Sequence, residues 1–199
     1  ACTGNDSTVE AISFDYGQRH SKELAYAKEY CDSLRVKHDI LDITSLTPFI
    51  GGSALTDNID VPDGHYTAPT MAITVVPNRN AIMLSIAFGI AVARNASIVG
   101  AAMHAGDHAI YPDCRPEFVD LFNAMQQKAV EGYGHTDLHL WTPYINKSKT
   151  DIARIGGSLG VDYGKTWSCY KGLEKHCGVC GTCYERKEAF QEAGINDPT

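Results

Sequence analysis

The sequence predicts an α/β fold built on a parallel sheet and closed by a cysteine-rich tail. Three observations carry that expectation. Short β-branched and aromatic runs alternate with longer apolar-periodic segments, the pattern of successive βα units. The segments after the strand-like runs are dense in hydrogen-bonding side chains, as suits the carboxyl ends of parallel strands, where ligands bind. Four of the seven cysteines crowd between positions 169 and 183.

Val9 to Phe14 (VEAISF) reads as a short buried strand. The loop DYGQRH follows, and Ser21 is placed to cap a helix running to about Leu34, with Leu24, Ala25, Ala27 and Cys31 on its apolar side. His38 to Ile43 reads as a second strand. Thr44 to Thr74 is polar and rich in Gly, Pro, Asp and Thr, a loop long enough to be functional or mobile. Pro77 to Asn80 then open an apolar helix, Ala81 to Arg94, whose Gly89 and alanines fit close packing on a sheet. Ser97 to Ala102 is the third strand and His104 to Pro116 a loop. Pro116 suits the first turn of a helix over Glu117 to Glu131, with Phe118, Leu121, Phe122 and Met125 on one face. Leu138 to Trp141 is the fourth strand. Ser148 starts a helix ending at Gly156-Gly157, and a short helix around Tyr184 to Ala193 closes the irregular tail. The expected organisation is an α/β domain over residues 1–160, with residues 161–199 packed as part of it.

Composition narrows the function classes. At 199 residues, 44% hydrophobic and 21% charged, the chain can bury a sizeable core without disulfide staples. Its net charge of −7 argues against gripping a nucleic-acid backbone, so no direct nucleic-acid binding is expected. No stretch reaches the roughly 18 apolar residues of a membrane span. Neither a membrane partner nor a secretory leader is expected. Clustered rather than scattered cysteines point to a metal site in a reducing cytoplasm.

Cys169-x7-Cys177-x2-Cys180-x2-Cys183 is a four-thiolate constellation, with Gly178 and Gly181 following two of the sulfurs as tight knuckle turns need. Structural Zn²⁺ is the expected occupant. An iron–sulfur cluster is the main alternative and two disulfides the plainer one. His176 could substitute for a sulfur, although four thiolates already fill the shell. A closed shell leaves no position for water, so the metal would supply folding energy that the apolar-poor tail lacks.

Several segments then carry a family resemblance. They are FDYGQRH at 14–20, VPNRN at 76–80 and YPDCRPEF at 111–118, then Thr142-Pro143 with Lys149 six residues beyond, and SCYKG at 168–172 leading into the cysteines. In this order they resemble the 7-cyano-7-deazaguanine synthases of the queuosine pathway, with Asn78 where that family more often has Gly. The resemblance implies an adenine nucleotide α-hydrolase-like (ATP pyrophosphatase) fold with a C-terminal zinc-binding segment. It implies conversion of 7-carboxy-7-deazaguanine, ammonia and ATP into 7-cyano-7-deazaguanine, with Mg²⁺ screening the phosphates, and a homodimer. A carboxylate is a poor electrophile. ATP must therefore turn one oxygen into a leaving group before ammonia attacks, and the amide must be activated again to lose water.

Roles follow from the resemblance. Lys149 is the candidate catalytic residue, set against a phosphate oxygen; the plainer reading is a solvated lysine. Arg115 and Asp113 would hold the carboxylate and the guanine-like edge, and Tyr111 would stack on the base. Arg79 and Asn80 open a helix where phosphate could bind, or simply cap it. Gln18, Arg19 and His20 would line the same pocket, His20 more often serving structure than catalysis, and Cys114 reads as buried filler.

The family's first strand, SGGxDS loop and helix have no counterpart before VEAISF. Thr3 to Thr8 looks like that loop one residue short, but no helix follows it. Gly4 to Thr8 is therefore expected to be a turn, no nucleotide-binding residue is placed there, and the chain is expected to be a poor ATPase. Asp57 to Tyr66 is looser than the family pattern, keeping Val61 to Asp63. Two competing functions stand beside this one. The first is another amide-forming or sulfur-transferring enzyme of the ATP-pyrophosphatase type, against which YPDCRPEF weighs. The second is a non-enzymatic zinc-knuckle module on RNA, against which the acidic charge weighs. Whether the product would serve tRNA or DNA modification is open.

Overall fold

The computed structural model describes residues 8–66 and 68–199. The turn expected over Gly4 to Thr8 lies outside the described residues apart from Thr8, as does Cys2. Strand β1 (Glu10–Asp15) pairs in parallel with β2 (Lys37–Asp42), Glu10 opposite Lys37 and Asp15 opposite Asp42. Helix α1 (Lys22–Ser33) makes the crossover. Its first turn is entered through bonds from the Ser21 N–H to the Gln18 carbonyl and from the Glu23 N–H to the His20 carbonyl. Ser21 is already helical and its side chain caps nothing, contrary to expectation. None of the α1 residues is fully buried; Leu24 and Ala27 face a cleft instead.

The long segment after β2 is packed rather than loose. Thr44–Phe49 forms a 3-10 helix and Ala68–Met71 a single helical turn, α2. Ser53, Ala54, Leu55 and Thr74 have no exposed surface. Helix α3 (Arg79–Ala93) follows Asn78, whose φ of 56° is left-handed. Asn is among the few non-glycine residues that tolerate this conformation, which explains its place where Gly is the commoner choice.

Strand β3 (Ile98–Gly100) pairs in parallel with β4 (His139–Trp141). The crossover between them contains α4 (Pro116–Ala129), which begins at its proline as expected. Its buried line is Val119, Phe122 and Gln126, whereas Leu121 is 73% and Met125 50% exposed. The face expected from spacing is therefore rotated. Gln126 tolerates burial because its amide bonds the Ser85 hydroxyl at 3.3 Å. The main core joins Leu84 and Phe88 to Val99, Phe122, Leu138 and Leu140, with the Phe88 and Phe122 rings edge-on at 5.8 Å.

All four strands run parallel to their partners, but among the described residues they form two two-stranded ribbons, not one sheet. Helix α3 links the ribbons: its apolar face packs in the core with β3, and Arg94 at its end reaches Glu10 of β1 and Asp39 of β2.

Helix α5 (Lys149–Ser158) starts with a reciprocal capping box between Ser148 and Asp151. It runs through Gly156 and Gly157, which were expected to end it. A Cβ at Gly156 would lie 2.2 Å from the Tyr163 hydroxyl, so that position needs glycine for contact rather than for a turn. Helix α6 (Gly181–Ala193) closes the fold. Gly181 is likewise helical, pressed against the Met71 sulfur, whereas Gly178 takes the left-handed turn, φ 73°. Buried Arg186 clamps Asp197 and bonds Thr166, Ser168 and the Tyr163 carbonyl. No helix among the described residues is long and apolar enough to cross a membrane.

Candidate active site and cysteine cluster

The sulfurs of Cys169, Cys177, Cys180 and Cys183 lie within 4.8 Å of one another. Cys177 and Cys183 are 3.8 Å apart, Cys180 and Cys183 3.5 Å. Sulfurs at about 2.3 Å from a central tetrahedral ion would stand about 3.8 Å apart, so this donor set fits a metal. The Cys177 sulfur accepts from the Val179 and Cys180 N–H groups, the geometry of a knuckle wrapped on thiolate charge. Ala54 and Val61 pack on the cluster, so the long segment after β2 and the tail share a core.

A cleft of about 430 Å³ opens between β1, α1 and the start of α3. Its lining includes Tyr16, His20, Glu23, Arg79, Asn80 and Tyr170. His20 lies against the Tyr170 ring with centroids 4.9 Å apart. Burial, then the neighbouring Arg79 charge, lowers the His20 pKa to about 4, so the ring is neutral at pH 7. The Arg79 guanidinium donates to the Tyr16 hydroxyl at 3.3 Å. Burial raises the Tyr16, Tyr66 and Tyr170 phenols above their ordinary value, leaving them neutral donors.

The tyrosines continue toward a second polar group. Tyr66 donates to Asp107 at 3.0 Å, and Asp107 faces His104 at 3.2 Å. Lys149, at the start of α5, is paired with Glu185 of α6 and lies 5.5 Å from the centroid of the Tyr66 ring. The Ala105 N–H bonds the Lys147 carbonyl at 3.0 Å, which ties the loop after β3 to the loop after β4.

Of the residues expected to bind substrate, His20, Arg79 and Asn80 line the cleft. Gln18 is spent on its own loop: its oxygen accepts from the Tyr16 N–H and its amide donates to Phe14 and Glu23. Arg19 donates to the Asp57 and Ile59 carbonyls, each at 2.9 Å. Tyr111 is buried, its hydroxyl 2.9 Å from that of Thr74. Asp113 accepts from the Asn80 N–H, so a carboxylate already fills the start of α3 that was expected to meet phosphate. Asn80 also donates to the Cys114 sulfur, and burial raises that thiol to about 12. Arg115 is exposed, its Nε donating to the His108 carbonyl. Sequence reasoning missed Tyr66, His104, Asp107 and Glu185. The density of His and Asp in the loop after β3 was a trace of His104 and Asp107, whereas Tyr66 and Glu185 come from other segments.

Comparison with known proteins agrees with the resemblance. The family model described as Queuosine biosynthesis protein QueC matches residues 3–194. The 7-cyano-7-deazaguanine synthase of Brucella anthropi is 58% identical over 188 residues, 94% of this chain and 80% of the relative. The 7-cyano-7-deazaguanine synthase 1 of Mesorhizobium japonicum is 57% identical over 191 residues, 96% of this chain and 82% of the relative. The Sinorhizobium fredii synthase is 58% identical over 188 residues, 94% of this chain and 79% of the relative.

Proposed function

The chain belongs to the QueC family of queuosine biosynthesis proteins, and from that premise we propose that it is a 7-cyano-7-deazaguanine synthase. It would join 7-carboxy-7-deazaguanine to ammonia at the expense of ATP and dehydrate the resulting amide to the nitrile. The observation that supports this best is the cleft on β1 and α3. Its volume of about 430 Å³ falls in the range of small-molecule sites. It carries Arg79, an aromatic wall of Tyr16 and Tyr170, and neutral His20, which together suit an anionic, purine-like acid.

The chemistry divides between the two polar groups. Arg79 would hold the carboxylate or a phosphate oxygen, its planar fork matching either. Lys149 would neutralise charge that grows on the oxygen as it becomes a leaving group. Glu185 restrains the Lys149 ammonium so that its direction is set before substrate arrives. Mg²⁺ would enter with ATP, screening its phosphates. Zn²⁺ is the metal that the four thiols suit best, and its part is to hold the tail, hence α6 and Glu185, against α5. The homodimer reading finds support in the groove between α3 and α4. No charged residue lines it, and it exposes Leu121 and Met125.

The test is direct. Full-length protein is incubated with 7-carboxy-7-deazaguanine, Mg²⁺, ATP and either ammonium or sulfide. A nitrile product from ammonium alone supports the reading. A thiocarboxylate in place of the nitrile would move the protein to the sulfur-transferring alternative.

A further inference from the structure

We propose that His104 is the base that releases ammonia from ammonium in this reaction, an inference that rests on the amide and nitrile chemistry just described. At neutral pH nearly all ammonia in water is ammonium, which has no lone pair and cannot attack carbon. A site that uses it needs a neutral acceptor for one proton.

His104 has the arrangement of such an acceptor. It is only 7% exposed and stands just beyond β3. Its Nε2 is 3.2 Å from one oxygen of Asp107, whose other oxygen accepts from the Tyr66 hydroxyl at 3.0 Å. A carboxylate on Nε2 fixes the proton there, so Nδ1 presents a bare lone pair. The same division of labour orients the histidine of hydrolase triads. Nδ1 has no hydrogen-bond partner.

The surroundings of Nδ1 suit a small cation. A Cβ placed on Gly106 would lie 3.1 Å from Nδ1 and 3.2 Å from a carboxylate oxygen of Glu185. Gly106 has no such atom, so the exposed glycine backbone lies beside His104 and Glu185 while Nδ1 itself is sealed from solvent. One substituted ammonium already sits nearby: Lys149 Nζ, held by Glu185 and close to the Tyr66 ring. A carboxylate and an aromatic face are the groups that recognise an ammonium ion. The charged and titratable groups facing His104 are Asp107, Lys149, Glu185 and His108. Burial, the largest influence, lowers its pKa and keeps it neutral near pH 7.

In the step, one N–H bond of ammonium breaks. Its electron pair stays on nitrogen and the proton passes to Nδ1, giving an imidazolium beside Asp107. The ammonia lone pair forms the C–N bond to the activated carboxyl carbon as the C–O bond to the activating group breaks, and the further proton that the nitrogen sheds on becoming an amide goes to the departing phosphate oxygen. The proton on Nδ1 then returns to water as the products leave. Asp107 acts as a positioning residue.

The experiment compares two nucleophiles on zinc-loaded, full-length protein. Hydroxylamine is largely unprotonated at pH 7 and needs no base. H104Q is expected to slow nitrile formation from ammonium by roughly 100-fold at pH 7 while hydroxamate formation stays within about threefold of the parent. Its ammonium rate should recover roughly tenfold per pH unit as free ammonia rises. D107N should show the same split more weakly, and it decides the matter should H104Q fail to fold. Equal loss with both nucleophiles, or an unchanged ammonium rate, overturns the assignment of His104. A parent protein that yields neither product overturns the proposed reaction instead.

Discussion

The Asp113 carboxylate accepts the backbone N–H of Asn80 at 3.0 Å, so the loop after β3 caps the first turn of α3. Asn78 supplies no side-chain cap of its own. Asp113→Ala should therefore cost about 1 kcal/mol, measured by chemical denaturation. Asp113→Asn should recover part of it, keeping the acceptor and losing the charge that favours a helix N-terminus. A raised KM for 7-carboxy-7-deazaguanine at unchanged stability would instead place Asp113 on the substrate.

Lys149 and Glu185 face each other across the join between α5 and α6. Lys149→Met removes the charge meant for the leaving oxygen. Turnover should fall by about 100-fold with little change in KM, as for other groups that act chiefly in the transition state. Circular dichroism and zinc content should match the parent. A rise in KM alone would reduce Lys149 to a binding residue.

Cys180 is fully buried with its sulfur in the four-thiolate group. Cys180→Ser should lose zinc, measured by elemental analysis, and with it the packing of Ala54 and Val61. Chelation of the parent should likewise lower its melting temperature and its turnover together. Full turnover without metal would contradict a structural zinc.

His20 gives a pH dependence of known sign. Its pKa is lowered from 6.5 to about 4 by burial, so the unfolded chain takes up the proton first as pH falls. His20's contribution is complete above pH 6.5 and is lost between 6.5 and 4, at a slope of up to about 1.4 kcal/mol per pH unit. Unfolding of H20Q and parent should be compared at pH 7 and 5, because the cysteine cluster also weakens in acid. The parent should lose more stability than H20Q between those two values; parallel losses would contradict a buried neutral imidazole.

The parts legible in sequence were those encoded locally. The overlapping C-x-x-C turns placed three sulfurs together because such turns leave few alternatives, and Cys169, only eight positions earlier, was near enough to complete the set. Strand and helix positions followed from periodicity. The rotated face of α4 did not, since Leu121 and Met125 share helical spacing with Phe118 and Phe122, and only the Gln126–Ser85 bond reveals which line is buried. The pairing of Lys149 with Glu185 joins two helices and leaves no periodic trace. The same holds for the aromatic wall of the cleft, whose members Tyr16 and Tyr170 come from separate loops. YPDCR was legible as a motif, yet Asp113 and Tyr111 turn inward to α3 and Thr74, which no spacing could show.

The most direct measurement follows heavy-nitrogen ammonium through the full-length, zinc-loaded protein with 7-carboxy-7-deazaguanine, Mg²⁺ and ATP. The account predicts a product carrying a single heavy nitrogen and neither carboxylate oxygen, formed only when ATP is present. An unchanged acid, or a labelled amide that never proceeds to the nitrile, would contradict it.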